Sequence, residues 1–352
     1  MLREMVNIAN DSGRSFKQRL IGIYLILFVL NIGAWGYVLI AFRHHPVLLG
    51  TALLAYGFGL RHAVDADHIA AIDNVTRKMM QQNKKPVAVG FFFSVGHSLV
   101  VILASALIAI TTAEIAKNFD WMKEAGGIIG TTVSASFLFL IAIMNLVIFS
   151  SIYKSWVNVK NGGIYKDDDF DMLLTSRGFL ARIFRPAFRL VSQSWHMLPL
   201  GFLFGLGFDT ASEVGLLGIS ASQANQGFPI WSIMVFPMLF VAGMSLVDTL
   251  DGHLMLGAYG WARMQPIRKI YYNLSITFVS SLVAIVIGAI ETLGLLSDQF
   301  GLSGGIWDTI NSLNDNFGTL GYIIIAVFIA SWLISMLVYK YKDYEKIEIR
   351  HE

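Results

Sequence analysis

Long apolar stretches recur along the chain, each close to twenty residues or more, and polar segments separate them. An α-helix of that length crosses the hydrocarbon core of a bilayer, which is roughly 30 Å thick. The pattern therefore predicts an all-α polytopic membrane protein with eight transmembrane helices in one domain, residues 1–352. The predicted spans are 20–42, 47–71, 87–112, 127–152, 197–220, 230–261, 271–296 and 319–339.

Composition agrees with this class and limits the chemistry. Hydrophobic residues make up 55% of the chain and charged residues 14%, and the mean hydropathy is +0.61. Soluble domains carry about 25% charged residues, so a soluble globular protein is excluded, and no nucleic-acid partner is expected. There is no cysteine. Any transition-metal site must therefore use imidazole, carboxylate, amide or backbone oxygen ligands.

The distribution of Lys and Arg predicts the orientation of the spans. These residues concentrate in the two terminal segments and in the second, fourth and sixth connections, whereas the other connections hold only Arg43, Lys117 and Lys123. Because basic connections stay on the cytoplasmic side, both termini are predicted to be cytoplasmic. The longest connection, about 153–196 between spans four and five, is predicted to be a cytoplasmic loop. The first apolar run is too long for a cleaved signal, so we expect it to remain as a span.

The second span carries five ionisable residues within eight positions: Arg61, His62, Asp65, Asp67 and His68. Each such group costs about 2.5 to 3.5 kcal/mol at the centre of a membrane helix, so the cluster indicates a functional interior. On an unbroken helix, His62, Asp65 and His68 share one side and Asp67 points away. Two imidazoles and a carboxylate are ligands that Ni²⁺ accepts. Alternatively, Arg61 pairs with Asp65 and only neutralises it, which leaves both histidines unexplained.

Three further spans carry ionisable groups. His97 lies in the third span, Asp209 and Glu213 are four residues apart in the fifth, and Asp248 and Asp251 are three apart in the sixth. Like-charged carboxylates this close repel each other unless a cation or a proton lies near them. They either contact an ion directly or hold the histidines in orientation, and the sequence favours neither.

Two other residues are candidates for the pathway or its surroundings. Phe93 stands four residues before His97, and Asn31 lies in the first span. A buried histidine or amide in a membrane often only bridges helices through a hydrogen bond. His97 is nevertheless expected to join the site, because the second span already supplies a histidine cluster.

Short motifs recur at a nearly constant offset. Phe-Gly-Leu at 58–60 returns at 204–206, and Gly-His-Ser-Leu at 96–99 returns as Gly-Met-Ser-Leu at 243–246, which gives offsets of 146 and 147. A shift of three spans reverses orientation in the membrane. Spans 2–4 and 5–7 are therefore interpreted as inverted-topology repeats, an architecture that places ion sites near the midplane.

Four of these stretches together resemble the signatures of the nickel/cobalt transporter (NiCoT) family. They are RHAVDADHI at 61–69, FSVGHS at 93–98, LGFDTASEV at 206–214 and GMSLVDTLDG at 243–252. The resemblance implies eight transmembrane helices and high-affinity uptake of Ni²⁺ or Co²⁺ across the bacterial cytoplasmic (inner) membrane. It implies that His62, Asp65, Asp67 and His68 are essential, with His97 close behind. The stretches 31–35 and 45–50 resemble the nickel-preferring branch.

Other functions remain as alternatives. An intramembrane metalloprotease would carry His-Glu-x-x-His, but His62 is followed by Ala63 and His68 by Ile69, so no enzyme is predicted. The sequence does not set the direction of flux, so a divalent-cation exporter is a further alternative. No P-loop motif is present, and no ATP-binding subunit is implied. We expect a secondary transporter or uniporter without a cofactor, whose partners are the bilayer and the transported ion.

Overall fold

A computed structural model describes residue 11 and residues 15–82, 84–110, 113–161, 191–207, 211–262, 266–342 and 344. In these ranges the regular structure is helical, and no strand occurs. A short 3₁₀ turn at Ser194–His196 precedes α6. The α-helices are α1 (Phe16–Ala41), α2 (Pro46–His62), α3 (Ala66–Gln81), α4 (Val89–Ile110), α5 (Ala113–Lys160), α6 (Met197–Gly205), α7 (Ala211–Asn225), α8 (Ile230–Ile233), α9 (Val235–Ala262), α10 (Pro266–Phe300), α11 (Ile306–Asp315) and α12 (Phe317–Tyr341).

Six helical stretches of the described chain are long and apolar enough to cross a membrane, and a seventh is counted when the bent pair α2 and α3 is taken as one span. The prediction of an all-α polytopic membrane protein is therefore confirmed. The predicted span 197–220 is divided between α6 and α7, each shorter than 18 residues. Most of the predicted loop 153–196, residues 162–190, lies outside the described residues.

The second predicted span is broken, so the unbroken helix used to place its side chains is wrong. Helices α2 and α3 meet at 52° across residues 63–65. Asp65 takes an extended conformation there, with φ −64° and ψ 147°, and stands as the N-cap of α3. Helix α3 then continues to Gln81, well beyond the predicted end, with fourteen of its sixteen residues buried. It is an interior helix, and most of its polar side chains are buried within the protein.

The fifth predicted span is interrupted at a related place. Helix α6 ends at Gly205 and α7 begins at Ala211. The first break lies between His62 and Ala66. Adding the 146-residue offset of the sequence motifs gives positions 208–212, which overlap the second break. Discontinuous helices in corresponding positions of two repeats are typical of transporters that bind their substrate near the membrane midplane.

Glycines bring the two segments of the predicted repeat into close contact at two helix crossings. A Cβ atom on Gly59 of α2 would lie 2.2 Å from the carbonyl oxygen of Phe240 in α9, and one on Gly201 of α6 would lie 2.1 Å from that of Phe93 in α4. Only glycine permits such an approach of two helix backbones. Phe93 and Phe240 are 147 residues apart. Helix α2 thus packs against α9 as α6 packs against α4, which is the correspondence that the predicted repeat requires.

Candidate metal site

Three buried histidines from three helices meet at the bend of the second span. His62 ends α2, His68 lies in the first turn of α3, and His97 lies in the middle of α4. The ring centroids are 4.7 Å apart in all three pairs. One ring nitrogen from each histidine lies within 4.8 Å of the other two. The fold therefore brings together three imidazole donors that can bind one metal ion.

The closest pair of donors is nearly at the spacing that a shared ion requires. His62 Nε2 and His97 Nε2 are 2.7 Å apart. A divalent ion about 2.1 Å from each of two imidazole nitrogens holds them roughly 3.0 to 3.4 Å apart, depending on the coordination angle. A movement of about half an ångström thus converts the contact between the two rings into a pair of metal ligands.

Carboxylates on two of the histidines fix which nitrogen faces the centre. Asp65 Oδ2 lies 2.8 Å from His62 Nδ1, and Asp248 Oδ1 lies 3.4 Å from His68 Nδ1. A carboxylate on one ring nitrogen orients the imidazole and leaves the other nitrogen for the metal. In agreement, His68 Nε2 is buried and has no hydrogen-bond partner in the described part of the chain.

Glu213 differs from Asp65 and Asp248 because it approaches the Nε2 atoms, which face the centre of the site, rather than the Nδ1 atoms. Its Oε1 atom is 3.0 Å from His97 Nε2 and 3.9 Å from His62 Nε2, the two nitrogens that face each other. The side chain is almost completely buried, with 1% exposed. The site therefore combines three imidazole nitrogens with a carboxylate oxygen next to two of them, and these ligand types suit borderline divalent ions such as Ni²⁺.

Other predicted residues lie around this centre. Asp67, in the first turn of α3, is half-buried and is not one of the three clustered donors. Arg61 is exposed and, within the described ranges, forms no salt bridge with Asp65, which is bonded to His62 instead. The alternative in which Arg61 merely neutralises Asp65 is therefore not the arrangement observed.

The remaining candidates lie farther from the centre or outside the described residues. Asn31 donates to the backbone oxygens of Leu27 and Ala242 and thus bridges α1 to α9. Asp251 is buried one turn after Asp248 on α9. Asp209 belongs to the segment between α6 and α7 that the structure does not describe.

Two aromatic rings, one from α4 and one from α9, pack against the histidines. Phe93 packs edge-on against His68, with ring centroids 4.8 Å apart, and Phe240 lies 5.5 Å from the His62 ring. The sequence pointed to Phe93 but missed Phe240, although the 147-residue offset relates the two. Asp73 was missed as well, because it lies beyond the predicted end of the span at residue 71. It is fully buried in α3 and accepts a hydrogen bond from Ser280.

Comparison with known proteins gives a consistent picture. A family model described as high-affinity nickel-transport protein (NicO) matches residues 48–338. The chain is 57% identical over 341 residues to the high-affinity nickel transport protein of Cupriavidus necator, with 97% of each chain covered. It is 42% identical over 327 residues to the high-affinity nickel-transport protein NixA of Helicobacter pylori J99, covering 92% of this chain and 97% of that one.

A cobalt transporter is also among the relatives. The cobalt transport protein NhlF of Rhodococcus rhodochrous is 36% identical over 336 residues, with 92% of this chain and 93% of the relative covered. No solved structure matches the chain. All three of these relatives carry the names of transporters rather than of enzymes.

Proposed function

The chain belongs to the high-affinity nickel-transport family, and we propose that it takes up Ni²⁺ across the bacterial cytoplasmic membrane through the three-histidine site. The observation that carries the proposal is the convergence of His62, His68 and His97, with Glu213 beside them, in a buried place where two helices are broken. Co²⁺ is proposed as a weaker substrate, because the cobalt transporter is a more distant relative than the nickel transporters.

We further propose eight membrane spans with both termini in the cytoplasm. Counting α6 and α7 as one broken span, like α2 and α3, supplies the eighth crossing. The alternation of basic and non-basic connections supports this orientation. Cysteine introduced at Lys154, near the end of α5, is expected to react with a membrane-impermeant maleimide only after the cells are opened. Labelling of intact cells would contradict the orientation.

The membrane potential is the proposed driving force. Moving one elementary charge through 100 mV is worth about 2.3 kcal/mol, so a divalent cation gains about 4.6 kcal/mol, enough for a gradient of order a thousandfold. In proteoliposomes, an inside-negative potential imposed with valinomycin should drive Ni²⁺ entry without a pH gradient. Entry that requires a pH gradient and ignores the potential would instead indicate proton coupling.

Substitution of the histidines tests the site itself. His62→Ala and His68→Ala each remove a ligand that no thiolate can replace, so uptake of radiolabelled nickel should fall to background in cells that hold normal amounts of protein. His253→Ala is the matched control. This histidine is also in a membrane helix, but it bonds to Tyr24 and to the Val87 carbonyl oxygen, away from the three-histidine site. Near-normal uptake by both site variants would refute the assignment.

A further inference from the structure

A row of buried carboxylates continues from the three-histidine site along α3 and α9. Asp248 contacts His68, Asp251 follows one turn later on α9, and Asp73 follows five residues after His68 on α3. The two helices run side by side here, since a Cβ on Gly252 would lie 3.5 Å from Ile72 Cγ2. At 1.5 Å per residue, Asp73 and Asp251 lie roughly 5 to 8 Å farther along their helices than the histidine contact.

Two of these carboxylates each have one oxygen that accepts no hydrogen bond in the described part of the chain. Asp248 Oδ2 and Asp251 Oδ2 are buried and have no hydrogen-bond partner among the described residues, and the two side chains are 0% and 8% exposed. The carboxylates of Asp73 and Asp248 both act electrostatically on Asp251. A buried carboxylate without a partner, beside two others, is stable only when a cation or a proton compensates it.

We propose that Asp248 and Asp251, with Asp73 beside them, form a second divalent-cation subsite through which the metal leaves the three histidines. Among the described residues these carboxylates are not clustered as closely as the three histidines are, so one or two of them bind the ion at a time as it passes. The subsite offers oxygen ligands only. Such a set suits Mn²⁺ or Mg²⁺ better than Ni²⁺, so Ni²⁺ is held here more weakly than by imidazoles. This inference rests on the proposed transport function and adds a second binding step after the three histidines.

The surroundings of Asp73 fit a site that releases its ion. Arg77 lies one turn farther along α3 and is held by Thr277 Oγ1 at 3.1 Å and by Asn74 Oδ1 at 3.2 Å. Its fixed positive charge repels an ion bound at the subsite, so the ion is expected to stay there only briefly. A conducting path needs sites that bind strongly enough to admit an ion and weakly enough to let it go.

The direction of release follows from the end of the same helix. Beyond Gln81, where α3 ends, the connection carries Lys84 and Lys85. Basic connections of this kind mark the cytoplasmic side of a membrane protein. The row of carboxylates therefore leads from the three histidines toward the cytoplasm, which is the direction that uptake requires.

Metal binding to the purified full-length chain in nanodiscs tests the subsite with two probes. Mn²⁺ should give a bound electron paramagnetic resonance signal, because it prefers oxygen ligands, and calorimetry should report tight Ni²⁺ binding at the histidines. Asp251→Asn and Asp73→Asn should lose bound Mn²⁺ and keep the Ni²⁺ affinity. Their maximal nickel uptake rate should fall about tenfold, which corresponds to roughly 1.4 kcal/mol.

Controls separate this inference from the function on which it rests. Asp251→Glu keeps the charge and should restore Mn²⁺ binding, whereas Glu291→Gln removes a buried carboxylate elsewhere, bonded to Ser134, and should leave Mn²⁺ binding unchanged. His62→Ala should lose tight Ni²⁺ binding and keep Mn²⁺. Absence of bound Mn²⁺ in the wild type, or its persistence in both asparagine variants, would overturn the subsite without touching the three-histidine assignment.

Discussion

The substitution Gly96→Ala tests whether close packing of α4 on α6 positions the metal site. Gly96 directly precedes His97, and a Cβ there would lie 2.0 Å from the carbonyl oxygen of Leu198 in α6. Ordinary van der Waals contact begins near 3.4 Å, so the backbones must separate by about 1.4 Å. The obstacle is backbone, which cannot rotate away as the end of a side chain can.

The expected cost follows from these distances. Overpacking of this kind destabilises a protein by about 1 to 3 kcal/mol, which equals or exceeds the ~1 kcal/mol that alanine gains over glycine within a helix. The shift also moves His97, whose Nε2 lies only 2.7 Å from His62 Nε2. Loss of a supporting contact at a metal site typically lowers affinity ~10- to 100-fold, and we expect the nickel affinity of Gly96→Ala to fall in that range.

Calorimetric titration with Ni²⁺ and thermal unfolding of the purified variant measure the two effects. The matched control is Gly36→Ala in α1, where an added Cβ would meet no atom within 4 Å. Gly36→Ala should keep the wild-type affinity and unfold at the same temperature or slightly higher. If Gly96→Ala also binds nickel like the wild type and unfolds at the same temperature, the close approach of α4 and α6 does not position His97.

Three further predictions concern residues outside the cluster of histidines. Burial raises the pKa of Asp11 above 3.8 despite its hydrogen bonds from Ser194, so the folded protein holds this proton more tightly; the thermal midpoint of the wild type relative to Asp11→Asn should therefore fall as pH rises from about 4. A flat difference across pH would contradict this. Ser134→Ala removes the 2.7 Å hydrogen bond to Glu291 and should cost about 0.6 to 2 kcal/mol of stability without changing nickel affinity, as measured by unfolding and titration. Asn31→Ala should lower the thermal midpoint and retain nickel binding, because its amide bridges α1 to α9; a loss of binding would instead place Asn31 in the transport path.

The bend in the second span shows which features of a helix the local sequence pattern predicts and which depend on tertiary contacts. Hydropathy identified an apolar stretch with five ionisable residues, because charge inside a membrane is costly and rarely kept without use. It did not show that the helix breaks at 63–65 or that α3 continues, buried, to Gln81. A break depends on what the neighbouring helices contact. Here Gly321 of α12 packs directly against the backbone at Val64.

The all-α membrane class, the family resemblance and the candidate residues His62, His68 and His97 could be predicted from the sequence, because hydropathy and the cost of burying a charge depend on local residues. The partners of those histidines depend on how distant helices pack together. Glu213 reaches the inner side of the site from 116 positions after His97, and Asp248 reaches His68 across 180 positions. The periodicity of a helix shows which side chains share one of its faces. It does not show how a second helix is rotated about its own axis, and the pairing of side chains between the two helices depends on that rotation.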